Sequence, residues 1–382
     1  MASMNARTAA ATAILDFPVR RGSLFAGKYE VDRVLASGGM GMIIRARHMA
    51  LDQMVAIKCL LPGAGTRDAL ARFEREARAA AKIKGDHVAR VIDLGTLENG
   101  APYIVMEYLV GEDLDERVKR RGPLPVHEAV DFITQGCVAI AEAHGLGIIH
   151  RDLKSSNLFV VTCPDGSERI KVLDFGIAKV AGAGLAPADK AKTATFAVMG
   201  SPYYMSPEQL RSTRDVDETT DIWALGVILY ELLSGRMPFE GTTMPDLWTA
   251  ITSGEPAPIT RSAVPDGLQA VIHRCLAKSR DKRYRSAAEL ARALAPFGSK
   301  MAAETAQRAW KITQIAKDAS QKRTTKRPAL RPRMTAALIG AAALLGLASM
   351  QMCGETHSTA ARDAPAHGVP APPLEPAEPP SR

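Results

Sequence analysis

His150-Arg151-Asp152-Leu153-Lys154-Ser155-Ser156-Asn157 and, 22 residues after Asp152, Asp174-Phe175-Gly176 decide the reading of this chain. Either string alone is an ordinary charged turn; the two together, in this order and spacing, are not. Upstream, apolar residues recur in strand fashion at Tyr29-Glu30-Val31, Met54-Val55-Ala56-Ile57-Lys58 and Tyr103-Ile104-Val105-Met106, with one helical stretch, 67–84, among them. Downstream of Pro123 helical spacing takes over, at 126–143, 224–233, 268–277 and 287–294. A strand-rich half followed by a helix-rich half predicts an α+β chain of two lobes of different class.

The paired strings resemble the catalytic loop and the metal-binding loop of the eukaryotic-type serine/threonine protein kinases. The resemblance covers 28–297 and implies a small antiparallel-sheet lobe with one main helix and a larger helical lobe. It gives Asp152 the proton of the substrate hydroxyl, Lys154 the γ-phosphate charge, and Asn157 and Asp174 a Mg²⁺ ion, whose hard character suits oxygen ligands. Leu35-Ala36-Ser37-Gly38-Gly39-Met40-Gly41-Met42-Ile43 looks like the glycine-rich loop over the phosphates of ATP. Ala36 stands where the family has its first glycine, which predicts a stiffer loop with no positive φ at that position. Val55-Ala56-Ile57-Lys58 matches the strand of the phosphate-anchoring lysine, and a lysine on an apolar strand needs a partner. Glu76 is that partner by resemblance; Phe73, Ala77 and Ala80 share one helix face, which Glu76 borders and Glu74 does not.

Met106-Glu107-Tyr108-Leu109 looks like the hinge between lobes, with Met106 behind the adenine, Glu107 and Leu109 at its edge, and Ala56, Ile43 and Phe159 around the ring. Ser206-Pro207-Glu208, Asp221 and Arg283 resemble scaffold positions of the same family. Lys154 points to the serine/threonine branch, and the strings Gly38-Gly39-Met40-Gly41 and Met205-Ser206-Pro207-Glu208-Gln209 look like its bacterial members. Thr193 and Thr195, set before Gly200-Ser201, resemble paired autophosphorylation sites, with Arg151 and Lys179 as donors to the added phosphate. A catalytically dead binding module of this fold is disfavoured because Lys58, Glu76, Asp152, Asn157 and Asp174 are all present. A small-molecule phosphotransferase is disfavoured by Ser206-Pro207-Glu208 and the long loop before it.

The flanks read differently. The five cysteines include no closely spaced pair, which argues against a disulfide framework or a zinc site. Between 308 and 333 stand nine Lys/Arg against one acid, Asp318, which equals the whole net charge of +8. The rest is neutral, so the basic balance does not point to nucleic acid. Residues 334–354 carry no charge; at about 1.5 Å per residue they span about 32 Å, enough for a bilayer core. The expected order is a flexible arm (1–27), the catalytic domain (28–298), a basic juxtamembrane linker (299–333), a single transmembrane helix (334–354) and a Pro/Ala-rich extracytoplasmic tail (355–382). The positive residues before the span put the catalytic domain in the cytoplasm, at the cell membrane and its lipids. Ala336/Gly340 and Ala342/Gly346 have the small-xxx-small spacing that lets a span pair with a second copy. Protein substrates follow from the resemblance.

Overall fold

The computed structural model describes residues 19–38, 41–61, 67–175, 201–212 and 216–325. Gly39, Met40, Gly176, Lys179, Thr193, Thr195 and the segments 326–333, 334–354 and 355–382, on which the sequence places expectations, lie outside these. Among the described residues no helix is long and apolar enough to cross a membrane.

The first half is an antiparallel sheet of six strands: β1 (Leu24–Phe25), β2 (Tyr29–Gly38), β3 (Gly41–His48), β4 (Gln53–Leu60), β5 (Val91–Thr96) and β6 (Pro102–Glu107), in the order β1-β2-β3-β4-β6-β5. Alternation sets its faces. Met42, Ile44 and Ala46 of β3 and Val55, Ile57 and Cys59 of β4 are buried on one side with Phe25 and Tyr29. Ile43, Ala56 and Lys58 therefore point to the other side. That side also carries Ile104, against which helix α1 (Arg67–Ala80) packs Phe73 and Ala77. The face shared by Phe73, Ala77 and Ala80 is buried as its spacing required.

The second half begins with β7 (Gly111–Asp113), α2 (Leu114–Arg121) and the long α3 (Val126–Gly145). A short sheet follows, β8 (Leu158–Thr162) and β9 (Glu168–Val172), with β7 as its third strand. Then come α4 (Pro207–Arg211), α5 (Thr219–Ser234), α6 (Met244–Ser253), α7 (Asp266–Cys275), α8 (Ala287–Leu294) and α9 (Lys300–Thr325). Helices α3 and α5 are the axis of this core; Ile222, Leu225, Ile228 and Leu232 of α5 and Ile133, Cys137 and Ile140 of α3 are all fully buried.

Two expected boundaries move. The arm does not run to residue 27, because β1 pairs with β2 and Phe25 is buried edge-on against Tyr103, ring centroids 5.2 Å apart. The stretch 299–333 is not a linker throughout: its first part is α9, which buries Ala302, Ala306 and Ala309 in the helical core. Its buried stripe is mostly alanine, which carries little hydrophobic signal residue by residue.

Candidate active site

The loop from His150 to Asn157 is placed by one carboxylate. Asp221, in the first turn of α5 and fully buried, accepts the N–H groups of His150 and Arg151 at 2.9 Å each and the His144 ring at 2.8 Å. Burial alone raises that carboxyl; the His144 hydrogen bond, the neighbouring His150 and the His150 N–H hold it below its ordinary value. The His150 ring donates from Nε2 to the Leu173 carbonyl at 2.9 Å and takes the Asp152 N–H on Nδ1 at 3.3 Å. It also lies 4.8 Å from the Phe175 ring, so one histidine ties the loop to the segment carrying Asp174. Two non-glycine residues here have positive φ, Arg151 at 64° and Asp174 at 51°. Such backbone persists only where the surroundings over-determine it, and it concentrates at functional sites.

Five predicted site residues meet at this point. Lys58, on the cleft face of β4, lies 2.8 Å from Asp174 Oδ1. Asn157 donates from Nδ2 to the Asp152 carbonyl at 2.8 Å, and its own carbonyl accepts the Leu173 N–H at 2.9 Å. Lys154 Nζ is 3.8 Å from Asp152 Oδ2. The Glu76 side chain is outside the described ones; Lys58 has its ion pair with Asp174. Arg151, the expected donor to a phosphate on Thr193 or Thr195, gives its N–H to Asp221, and its carbonyl accepts from Gln209 Nε2 at 2.8 Å.

Residues 29–294 match the model of the protein kinase domain. The chain belongs to the protein kinase family. Curated relatives include the serine/threonine-protein kinase pkn3 of Myxococcus xanthus, 38% identical over 70% of this chain and 49% of the relative. PknB of Mycolicibacterium smegmatis is 37% identical over 69% of this chain and 42% of its own length. PrkC of Bacillus subtilis is 36% identical over 70% of this chain and 40% of its own. The chain thus spans about half, or less, of these relatives. The solved kinase domain of Mycobacterium tuberculosis PknI is 28% identical with a TM-score of 0.55, over 72% of this chain and 98% of that one.

The rest of the kinase site follows the sheet register. Ile43 pairs with Lys58, and Ala56 with Met106, which brings the expected adenine wall onto one face. Leu35, Ala36, Ser37 and Gly38 are exposed at the end of β2, and Ala36 sits in the ladder opposite Ile43 without positive φ. Crowding falls on Gly41 instead, where a Cβ would lie 2.4 Å from the Cys59 carbonyl oxygen. Phe159 of β8 pairs with Asp113 beneath the hinge, and Leu109 is half-buried beside it. Glu208 and Arg283 form a buried fork at 2.7 and 2.9 Å, with the Thr220 hydroxyl donating to Glu208 at 2.9 Å. Ser201 begins the turn Ser201–Tyr204, its side chain not described.

Sequence reasoning missed three supports. His144 was one, although a histidine among the buried alanines of α3 demanded a partner. The second is the side chain of Glu107, which pairs with Lys171 of β9 at 2.8 Å and accepts the Arg90 N–H at 2.8 Å. The third is Tyr204, whose hydroxyl donates to Glu231 of α5 at 2.8 Å and lies 2.9 Å from Ser155 Oγ.

Proposed function

We propose that this chain is a serine/threonine protein kinase that transfers the γ-phosphate of ATP to Ser/Thr hydroxyls of proteins, its own Thr193 and Thr195 included. The observation that carries this is the convergence of Lys58, Asp152, Lys154, Asn157 and Asp174 from three separate segments around one cleft. In this reading the Asp152 carboxylate orients the acceptor hydroxyl and takes its proton. Lys154 faces the charge that builds on the transferred group, and Lys58, with Glu76 behind it, anchors the phosphates.

The residues present fit Mg²⁺. Asn157 commits its Nδ2 to the loop, which presents Oδ1 as a hard acceptor, and Asp174 supplies a carboxylate. Two protein oxygens suit an ion that takes much of its shell from phosphate oxygens. When bound there, the ion neutralises phosphate charge. The nucleotide would be held by the glycine-rich turn, whose residues 35–38 are exposed, and by the wall of Ile43, Ala56, Met106 and Phe159, with the backbone of Glu107 and Leu109 for its adenine edge.

The kinase domain is placed on the cytoplasmic side of the cell membrane, anchored by 334–354, with 355–382 beyond it. The uncharged run and the nine basic residues before it support this reading. The test of the function is detergent-solubilised full chain incubated with Mg²⁺ and γ-labelled ATP, with and without a Ser/Thr-rich protein. Phosphate is expected on Ser/Thr only, with Thr193 or Thr195 among the sites. No label, or label on tyrosine, overturns the assignment. Membrane fractions that release the chain with salt and no detergent overturn the anchor alone.

A further inference from the structure

Helix α9 begins beyond the kinase match, which ends at residue 294. It is nevertheless fastened to the core along most of its length. Ala302, Thr305, Ala306 and Ala309 are buried, and Ile312, Thr313 and Ala316 continue the stripe half-buried. This is the spacing of a helix seated on a neighbour. The neighbour is α3. At the start of α9 the Ser299 N–H donates to Asp131 at 2.9 Å, and Gln135 reaches the Met301 sulfur at 3.6 Å. At the other end of α3, a Cβ on Gly145 would stand only 2.9 Å from Ala316. The two helices therefore run side by side in the same direction, with small residues at the seam.

Arg308 carries α9 to a second structure: its guanidinium lies 3.6 Å from Asp86. Asp86 belongs to the segment 81–90 that joins α1 to β5, and this segment is strapped to the larger lobe. Glu142 of α3 accepts the N–H groups of Lys84 and Gly85 at 2.9 and 3.0 Å, so close that a Cβ on Gly85 would overlap it. His87 Nδ1 meets the Ile170 carbonyl at 3.0 Å, and the His87 carbonyl takes the Val172 N–H at 2.8 Å. The Val172 carbonyl takes the Ala89 N–H at 3.0 Å, two residues before Asp174. Lys171 links the Val88 carbonyl to Glu107 at the hinge. One short segment thus touches the helix of Glu76, the hinge and the strand leading to Asp174.

We propose that α9 is a positioning element of the nucleotide site, docked on α3 and on segment 81–90. The proposal rests on the kinase reading above.

The test uses the full chain. Ala309→Asp puts a carboxylate into the α9–α3 seam, and Ala309→Ser keeps the seam small. Hydrogen exchange read by mass spectrometry is expected to quicken in 300–316 and, with it, in 81–90 for Ala309→Asp only. The KM for ATP rises about fivefold, the low end of ordinary coupling, while kcat changes little. Release of α9 with 81–90 still protected and KM unchanged overturns the proposal. If Ala309→Asp does not fold, the charge pair decides. Arg308→Asp and Asp86→Arg each raise KM about twofold, as an exposed pair allows, and the double reversal restores it. Single variants without effect, or no restoration, overturn it equally. Exchange and nucleotide binding need no phosphotransfer, so a chain that binds ATP without transferring phosphate, with exchange in 81–90 still coupled to α9, would refute the catalytic part of the kinase reading and leave the coupling to the nucleotide site standing.

Discussion

The catalytic loop and the glycine-rich turn both serve the same cleft, yet they are held by opposite means. The loop at 150–157 hangs on buried side chains: Asp221 and the ring of His150 between Leu173 and Phe175. Among the described residues of the turn, 35–38 and 41, there is no such post. Ala36, Ser37 and Gly38 are exposed, a Cβ on Gly38 would meet nothing within 4 Å, and the strand ladder of β2 and β3 sets the place of these residues. The groups proposed for acid–base work are thus held by side chains, whereas the proposed cover over the phosphates depends on backbone pairing. Substitutions should be felt very differently in the two regions.

Asp221→Ala is the sharpest way to break this contrast. It leaves two N–H groups and a buried imidazole without their acceptor, a loss of about 3–5 kcal/mol for a broken buried network. Urea denaturation should show that loss, and phosphotransfer per folded molecule should fall about tenfold or more. Full activity in a merely less stable protein would mean that something else holds the loop. Within the turn, the contrast is between its two ends. Gly41→Ala drives a methyl into the Cys59 carbonyl and should cost about 1–3 kcal/mol. Gly38→Ala has open space and should stay within about 0.5 kcal/mol. Equal effects would show that the turn is supported elsewhere than at its ladder.

A pH profile sharpens the picture of the buried posts. Glu231 is enclosed with Tyr204 and Ser155, and also feels Asp115 and Lys119; burial pushes its carboxyl up to about 7. A folded value above the unfolded one gives stability that is complete below about 4.5 and is lost as pH rises through about 7. Glu231→Gln keeps an acceptor for Tyr204 and removes that slope. At pH 8 the variant should exceed the parent by up to about 3 kcal/mol, with the difference closing by pH 5. Parallel profiles for the two proteins would show that Glu231 does not titrate in this window.

Much of this architecture was legible in residues. The alternation at 54–58 put Lys58 on the cleft face, the helix 287–294 falls where its apolar spacing placed it, and Phe73 with Ala77 marked the packed face of α1. Ala36 was readable too, since an extended strand position needs no glycine. Contacts between distant segments were legible only where the resemblance supplied them, as for Arg283 with Glu208 and Asp221 with the catalytic loop. Nothing local ties Glu107 to Lys171 or His144 to Asp221, because those pairs exist only once the lobes are built. The packing of α9 was hidden for a related reason: alanines carry little hydrophobic signal one by one, and their burial depends on the matching small seam of α3. The Lys58–Asp174 pair likewise joins two residues whose separate roles were read but whose direct contact was not.

The central claim is that Asp152, held in place by Asp221 and facing Lys154, performs the chemistry and does not build the fold. Asp152→Asn in the full chain tests it most directly, with phosphotransfer from γ-labelled ATP, nucleotide affinity and thermal midpoint measured side by side against the parent. The account predicts turnover below about a tenth of the parent, an interaction realised only in the transition state, with nucleotide affinity and midpoint nearly unchanged. Turnover retained above that level, or an equal loss of nucleotide binding, would contradict it.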